Sequence, residues 1–413
     1  MDPLANFDRA ADHNGEHEYQ VPVDIDIDIQ CKILDQNFSI PIKDEVDISV
    51  SNPKLKEQKI TKHITYSISG NDSQGRFESF RRYNDFLLLR ARLVNRWPGC
   101  FIPQLPPKKR FTSMAHGNLQ PQFIEQRRKL LNYFIRKLGQ LSYVKHSPEF
   151  IVFTRGGNDF KAEVNEIKIP STIEIANTFH NEFTEYLLYQ ESPDDDKKVE
   201  EAEIMFRNGI EAIENFEEIC KRNVESYNGY DNGLLMLTQG LRDMNCLYRE
   251  NYKAKYIDFK VKESHENPYQ ILLDWARTEV MDLRSILEAI EQKKSYDRLE
   301  DKFKEKLEED NNQLENMQQG RKSLMQKLTK KPIEHYIAKR ERIIKDMTEE
   351  INGLSKIKKI ITSRLVHKEI PKFRESKIHQ HDIVIKAFAR CTVQEFENWI
   401  IQNKEIQKGL NAK

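Results

Sequence analysis

After Pro193 only Pro268, Pro332 and Pro371 interrupt a helical pattern that occupies more than half of the chain. Ser192-Pro193 followed by Asp194, Asp195 and Asp196 reads as a helix start, because carboxylates favour the positive end of the helix dipole. Between Pro268 and Pro332, apolar residues fall at Leu283, Leu287, Ile290, Leu299, Phe303, Leu307, Leu314, Met317, Leu324 and Leu328. Steps of three, four and seven dominate, as in a coiled-coil seam. A helix from Tyr269 to Leu328 would be about 90 Å long. Joined by a tight turn at Thr329 to Pro332, it and the next helix must lie antiparallel. Three long helices cannot close a round core, and exposed apolar stripes of that length mark an interface. A dimer is expected, with a second copy or with a related chain. Pro371 either kinks the last helix or ends it early.

The first part of the chain is built differently. Residues 1–40 are acidic and poor in core-forming clusters, so a disordered tail is expected, with VDIDIDI at Val23 to Ile29 its one alternating run. From Val46 the stretches VDISVSNP, HITYSISG and RFESF alternate with a period of two around a turn-rich Asn71 to Gly75. Asp85 to Trp97 then has helical spacing and stops at Pro98-Gly99, and a proline-rich loop runs from Phe101 to Met114. A second helix over Pro121 to Leu138 and a third near Pro148 complete a small α+β module. The expected organisation is a tail over 1–40, a module with a small antiparallel three-stranded sheet over 41–158, a partly helical linker over 159–193, and an all-α domain of long antiparallel helices over 194–410.

Charge and motifs narrow the chemistry. The 66 basic and 66 acidic residues cancel, so attraction to an anion must come from local segregation. Between Arg81 and Lys137 thirteen cations face only Asp85 and Glu125. Phe80-Arg81-Arg82-Tyr83-Asn84-Asp85-Phe86 sits where a strand passes into a helix, and an arginine there can make two parallel charge-assisted bonds to one phosphate. Tyr83 is either a flat platform for a sugar or inositol ring, or core at the junction. Ile102-Pro103-Gln104-Leu105-Pro106-Pro107-Lys108 adds a stiff extended backbone ending in a cation. No stretch approaches the roughly 20 apolar residues of a membrane span, and the five scattered cysteines suggest a reducing cytosol. GxxxxGK[ST], GxSxG and HExxH motifs are absent, and His367, His379, His381 and Cys391 have no metal-site spacing, so neither catalysis, cofactor nor metal is expected.

With RRYxxF, the proline loop and the downstream Phe123-Ile124-Glu125-Gln126-Arg127-Arg128 in this order and spacing, the module resembles the phox-homology (PX) domain. The resemblance implies that Arg82 holds the 3-phosphate of an inositol lipid, Tyr83 underlies the ring, Lys108 meets the 1-phosphate and Arg127 the 4- and 5-hydroxyls. The set implies phosphatidylinositol 3-phosphate. Arg81, Lys109, Arg110 and Arg128 would add general attraction to an anionic surface, while Phe111 and Met114 either dip into the lipid interface or pack on the module. A PX domain followed by long helices resembles the PX–BAR sorting nexins, whose helical dimers respond to membrane curvature. In that reading Lys327, Lys330 and Lys331 lie among nine cations near a helix tip between 321 and 345. The implied protein is a non-enzymatic peripheral membrane protein on the cytosolic face of endosomes that sorts cargo by detecting headgroup and curvature together. The alternative is a PX-anchored coiled-coil tether without bending activity. Nucleic-acid binding fits the charge but not the motif pairing, so no nucleic-acid partner is expected.

Overall fold

The computed structural model describes residues 47–58, 61–108, 121–190, 192–249, 267–319 and 333–411. The tail over 1–40, Lys109, Arg110, Phe111, Met114, the turn at Thr329 to Pro332, and Lys327, Lys330 and Lys331 lie outside these residues.

Strands β1 (Asp47–Gln58), β2 (Thr61–Asp72) and β3 (Gly75–Arg82) form one antiparallel sheet in the order β1-β2-β3. The β2–β3 hairpin closes on the Asp72–Gly75 pair, where Gly75 has φ 97°, a conformation open to a residue without Cβ. Pro53, which has no N–H to give a ladder, falls where the β1 register shifts between Ser51 and Lys54. On β3 the alternation turns Phe77, Ser79 and Arg81 inward and leaves Arg82 outward.

Five short helices follow: α1 (Tyr83–Arg96), α2 (Pro121–Gly139), α3 (Ser142–Lys145), α4 (Pro148–Arg155) and α5 (Phe160–Glu166). Phe86, Leu89 and Leu93 of α1 and Leu131, Phe134, Ile135 and Leu138 of α2 are fully buried, as helical spacing of apolar residues requires. Helix α6 (Thr172–Glu182) lies within the segment read as a linker. That segment is part of the core: Phe160, Val164, Phe179 and Phe183 are buried, with Phe179 stacked on Trp97 at 5.8 Å.

The long helices are α7 (Pro193–Arg249), α8 (Pro268–Gln318), α9 (Ile333–Arg364) and α10 (Ile370–Asn411). Helix α7 runs antiparallel to α8, with Glu203 bonded to Lys294 at 2.5 Å and Glu217 to Arg277 at 3.2 Å. Helix α9 lies antiparallel along the other side of α8, where Lys358 meets Glu300 at 2.7 Å. Between α9 and α10 a π-helical turn, Leu365–Glu369, carries the chain into Pro371 without a break. Pro371 therefore does not end the last helix; the wider turn just upstream adjusts the backbone ladder around a residue that cannot donate to it. Of the seam residues, Leu283 and Ile290 are buried, whereas Leu299 is exposed and Phe303, Leu307, Leu314 and Met317 are half-buried. Helix α10 leaves Ile378, Val393, Phe396, Ile400 and Ile401 exposed.

Sheet module and long helices share one core, which runs from Ile48 and Tyr66 through Trp97 and Phe101 to Ile286, Ile361 and Phe373. Gly99 is the tightest point of that junction. Its φ is 70°, its N–H donates to Gln292 Oε1 at 2.6 Å, and a Cβ would lie 2.5 Å from the Ile361 side chain. Gly99→Ala is expected to cost about 1–3 kcal/mol through the strained backbone alone, and urea midpoints of the two proteins would read it.

The junction also changes the meaning of the basic segment. Arg90 pairs with Glu288 of α8, Arg96 with Glu149 at 2.7 Å, and Lys137 with Asp282 of α8 at 2.9 Å. These cations, counted as surface charge in the sequence, are used to fasten the module internally and to α8. Their partners lie 53 to 198 positions away in sequence, outside any local charge count.

Candidate functional site

The four residues assigned to headgroup binding meet at one corner, where β3 passes into α1. Arg82 is the last strand residue and takes extended backbone angles, φ −95° and ψ 163°. The Asp85 carboxylate, one turn into α1, accepts from the Arg82 backbone N–H at 2.8 Å and from its Nε at 3.4 Å. Arg82 is thus steered by a carboxylate beneath it while its side chain stays 46% exposed at the positive end of α1.

The proline loop reaches the corner through its own carbonyls. Arg90 Nε donates to the Pro103 carbonyl at 2.7 Å, Tyr143 donates to the Phe101 carbonyl at 2.7 Å, and the Gln104 N–H donates to Ser285 Oγ at 2.8 Å. The Tyr83 hydroxyl donates to the Pro106 carbonyl. Two residues on, Lys108 Nζ lies 3.4 Å from Asn84 Oδ1. Prolines hold the loop extended at little entropic cost, so a few such bonds place Lys108 beside the start of α1.

Arg127 comes from the first turns of α2 and stacks between two rings, 4.6 Å above Tyr83 and 4.3 Å above Phe123. Burial pushes its guanidinium below the usual arginine range, opposed by Tyr66 and Tyr83 beside it. The Tyr83 phenol is pushed up by burial, and Arg127 draws it part of the way back. Tyr83 is only 9% exposed, and one face of its ring carries Arg127. It therefore has a core role as well as a place in the corner. Arg82, Lys108 and Arg127 around one aromatic ring can grip a phosphorylated polyol by charge-assisted hydrogen bonds.

Two of the further contacts need revision. Arg81, expected to face an anionic surface, is fully buried. Strand alternation turns it inward, and its guanidinium donates to the carbonyls of Phe153 at 2.8 Å, Gly157 at 2.6 Å, and Val152 and Gly156 at 3.0 Å. It caps the C-terminal end of α4, where unpaired carbonyls collect. Arg128 is bound to Glu125 at 2.7 Å and to the Val50 carbonyl at 3.0 Å. Asn84 and Asp85, which orient Lys108 and Arg82, were not singled out from the sequence. Their signal was their place in the first turn of a helix, where short polar side chains bond locally.

The PX domain family model matches residues 70–155, which contain the whole strand-to-helix corner and Arg127. Sorting nexin-4 of Saccharomyces cerevisiae is 32% identical over 152 residues, covering 35% of this chain and 35% of the relative. Human sorting nexin-7 is 33% identical over 124 residues, 28% of this chain and 32% of the relative. Sorting nexin MVP1 of Candida albicans is 32% identical over 140 residues, 32% of this chain and 18% of the relative. The matches thus span 18% to 35% of these curated relatives' length. The cryo-EM structure of the SNX-BAR Mvp1 tetramer aligns with 87% of this chain and 99% of that one, with a TM-score of 0.51 and 16% identity, a likeness of fold that takes in the long helices.

Proposed function

We propose that the chain is a sorting nexin of the PX–BAR type and that it binds phosphatidylinositol 3-phosphate through Arg82, Tyr83, Lys108 and Arg127. The observation that carries the reading is the bond from Tyr83 to Pro106. It draws the arginine motif, the proline loop and the arginine of α2 onto one corner. Arg82 is the exposed cation suited to the 3-phosphate, and Lys108 flanks it from the loop. Arg127, between its two rings, suits the ring hydroxyls and leaves little room for phosphates at positions 4 and 5. In this reading the protein works as a non-enzymatic membrane-trafficking factor, peripheral on the cytosolic face of endosomes.

The exposed apolar residues of α10, with Tyr230 and Met236 of α7, support self-association, or pairing with a related chain. Two headgroup sites on one rigid dimer make the second engagement intramolecular, so avidity rises without new contacts. Curvature sensing by the helices would add to it.

Liposome co-sedimentation tests the reading. Wild type is expected to pellet with vesicles bearing phosphatidylinositol 3-phosphate well above those bearing phosphatidylinositol or its 4,5-bisphosphate, and Arg82→Ala is expected to lose that selectivity. Losing a bidentate phosphate contact should weaken binding by about tenfold or more. Equal pelleting with every anionic vesicle, unchanged in the variant, would mean that the helices anchor the protein and the corner does not read the lipid.

A further inference from the structure

One face of α2 meets α8 over about three turns. Gln126, Leu130, Tyr133 and Lys137, spaced four, three and four apart, form a single helical stripe. Tyr133 and Lys137 both donate to Asp282, at 2.6 and 2.9 Å, and Leu130 lies across a cavity from Val280 and Met281. At the other end the Gln126 amide faces the Arg277 guanidinium; with its oxygen on that side, the orientation that satisfies both groups, it accepts from Nε and Nη2 at 3.2 Å and from Nη1. Arg277 is itself held by Glu217 of α7 at 3.2 Å and lies 3.7 Å from Asp274.

Arg127 follows Gln126 directly, about 100° further round the helix. What holds Gln126 therefore bears on the direction of Arg127 toward Tyr83. The Tyr83 and Phe123 rings hold Arg127 on one side, and Arg128 ties the same turn to the Val50 carbonyl of β1. A cavity of about 290 Å³, lined by Pro107, Phe123, Arg127 and Arg277 among others, lies between the first turns of α2 and the long helices. Across that space the Gln126–Arg277 contact is a polar tether between this turn and the long helices.

We propose that the long helices complete the headgroup site, with Arg277 as a positioning residue that holds Arg127 in place through Gln126. The proposal rests on the reading of the corner as a headgroup site. It makes headgroup recognition depend on how the module is seated on α7 and α8, so the two halves of the chain act as one reader.

The test is calorimetric titration of the full chain with soluble inositol 1,3-bisphosphate, which removes membrane avidity and surface attraction. Arg277→Ala and Gln126→Ala are each expected to weaken binding about fivefold or more, within the range of coupling between distinct sites. The double variant should lose no more than either single one, because both act on the same link. Arg284→Ala removes an equal charge from the same cavity rim, but its partner is Glu214, and it should match wild type. Thermal unfolding of each variant checks that the loss is not one of folded protein. The proposal is overturned if Arg277→Ala stays within about twofold of wild type or if Gln126→Ala has no effect. If Arg82→Ala and Arg127→Ala also bind like wild type, the headgroup reading itself fails. If those two lose binding while Arg277→Ala keeps it, only the positioning role fails.

Discussion

Arg81→Ala is expected to destabilise the fold by about 4 kcal/mol, as judged by urea denaturation. The substitution leaves four carbonyls at the end of α4 without the donor they share, the bonds from Arg81 being 2.6 to 3.0 Å long. Phe153 is buried and Val152 and Gly156 are half-buried, so water does not replace the lost partner freely there, and a hydrogen bond to a charged donor is among the stronger kinds. Phe153 and Phe160 also lose the guanidinium that lies 5.6 and 5.4 Å from their ring centres. Lysine cannot repair the site, because a compact ammonium does not present a planar fork to several acceptors at once. Arg81→Lys is therefore expected to recover the lesser part of the stability. At a temperature where it remains folded, it should still select the same lipid. Loss of lipid binding with stability unchanged would instead place Arg81 on the membrane.

Asp282→Ala is the second substitution with a large expected cost, about 3–5 kcal/mol. The Asp282 carboxylate accepts from Tyr133 at 2.6 Å, Lys137 at 2.9 Å and Lys377 at 2.6 Å. It joins α2 to α8 and α10 at a point closed to solvent. Removing it leaves two buried ammonium groups close together, with Glu279 on Lys377 alone. Burial opposes ionisation of Asp282, but the two lysines outweigh it, aided by bonds from Lys377 and Tyr133, and hold the carboxyl at about 2. The folded value thus lies below the unfolded one of 3.8. Between these values the unfolded chain binds more protons, so stability falls as the medium is acidified. The contribution should be complete above the unfolded value and should fade as pH drops through the folded one. Urea midpoints of wild type and Asp282→Asn should therefore differ most near neutrality and converge in strong acid. A difference independent of pH would mean that the carboxyl acts by shape and not by charge.

Much of this architecture could be read from residue order because its causes are local. Alternation in HITYSISG and RFESF became β2 and β3, and Asp85 to Trp97 fell within a residue or two of α1. The carboxylates after Ser192 do mark the start of α7. Arg81 was also legible: Phe77, Ser79 and Arg81 share one face of a strand, so an inward Phe77 implies an inward Arg81. Counting charge along the chain concealed that, since a tally has no direction. The partners of Arg90 and Lys137 were not legible, because Glu288 and Asp282 lie 198 and 145 positions away on another helix. The π-helical turn before Pro371 was hidden too, since a proline there is compatible with a kink or with an end to the helix. Within the candidate site, the residues that would touch a ligand were visible as motif. Of those around them, Asp85 and Asn84 carry the signal of a helix's first turn, whereas the contact of Gln126 with Arg277 emerges only when the helices are placed.

The central claim is that the corner at Arg82 and Tyr83 reads a 3-phosphorylated inositol headgroup. Calorimetric titration of the intact chain with inositol 1,3-bisphosphate, against inositol 1,4,5-trisphosphate, tests it most directly, because neither membrane charge nor curvature enters. One site per chain is predicted for the 1,3-bisphosphate, lost in Arg82→Ala, with the trisphosphate weaker despite its extra charge. Equal or tighter binding of the trisphosphate, or a 1,3-bisphosphate isotherm unchanged by Arg82→Ala, would contradict the claim.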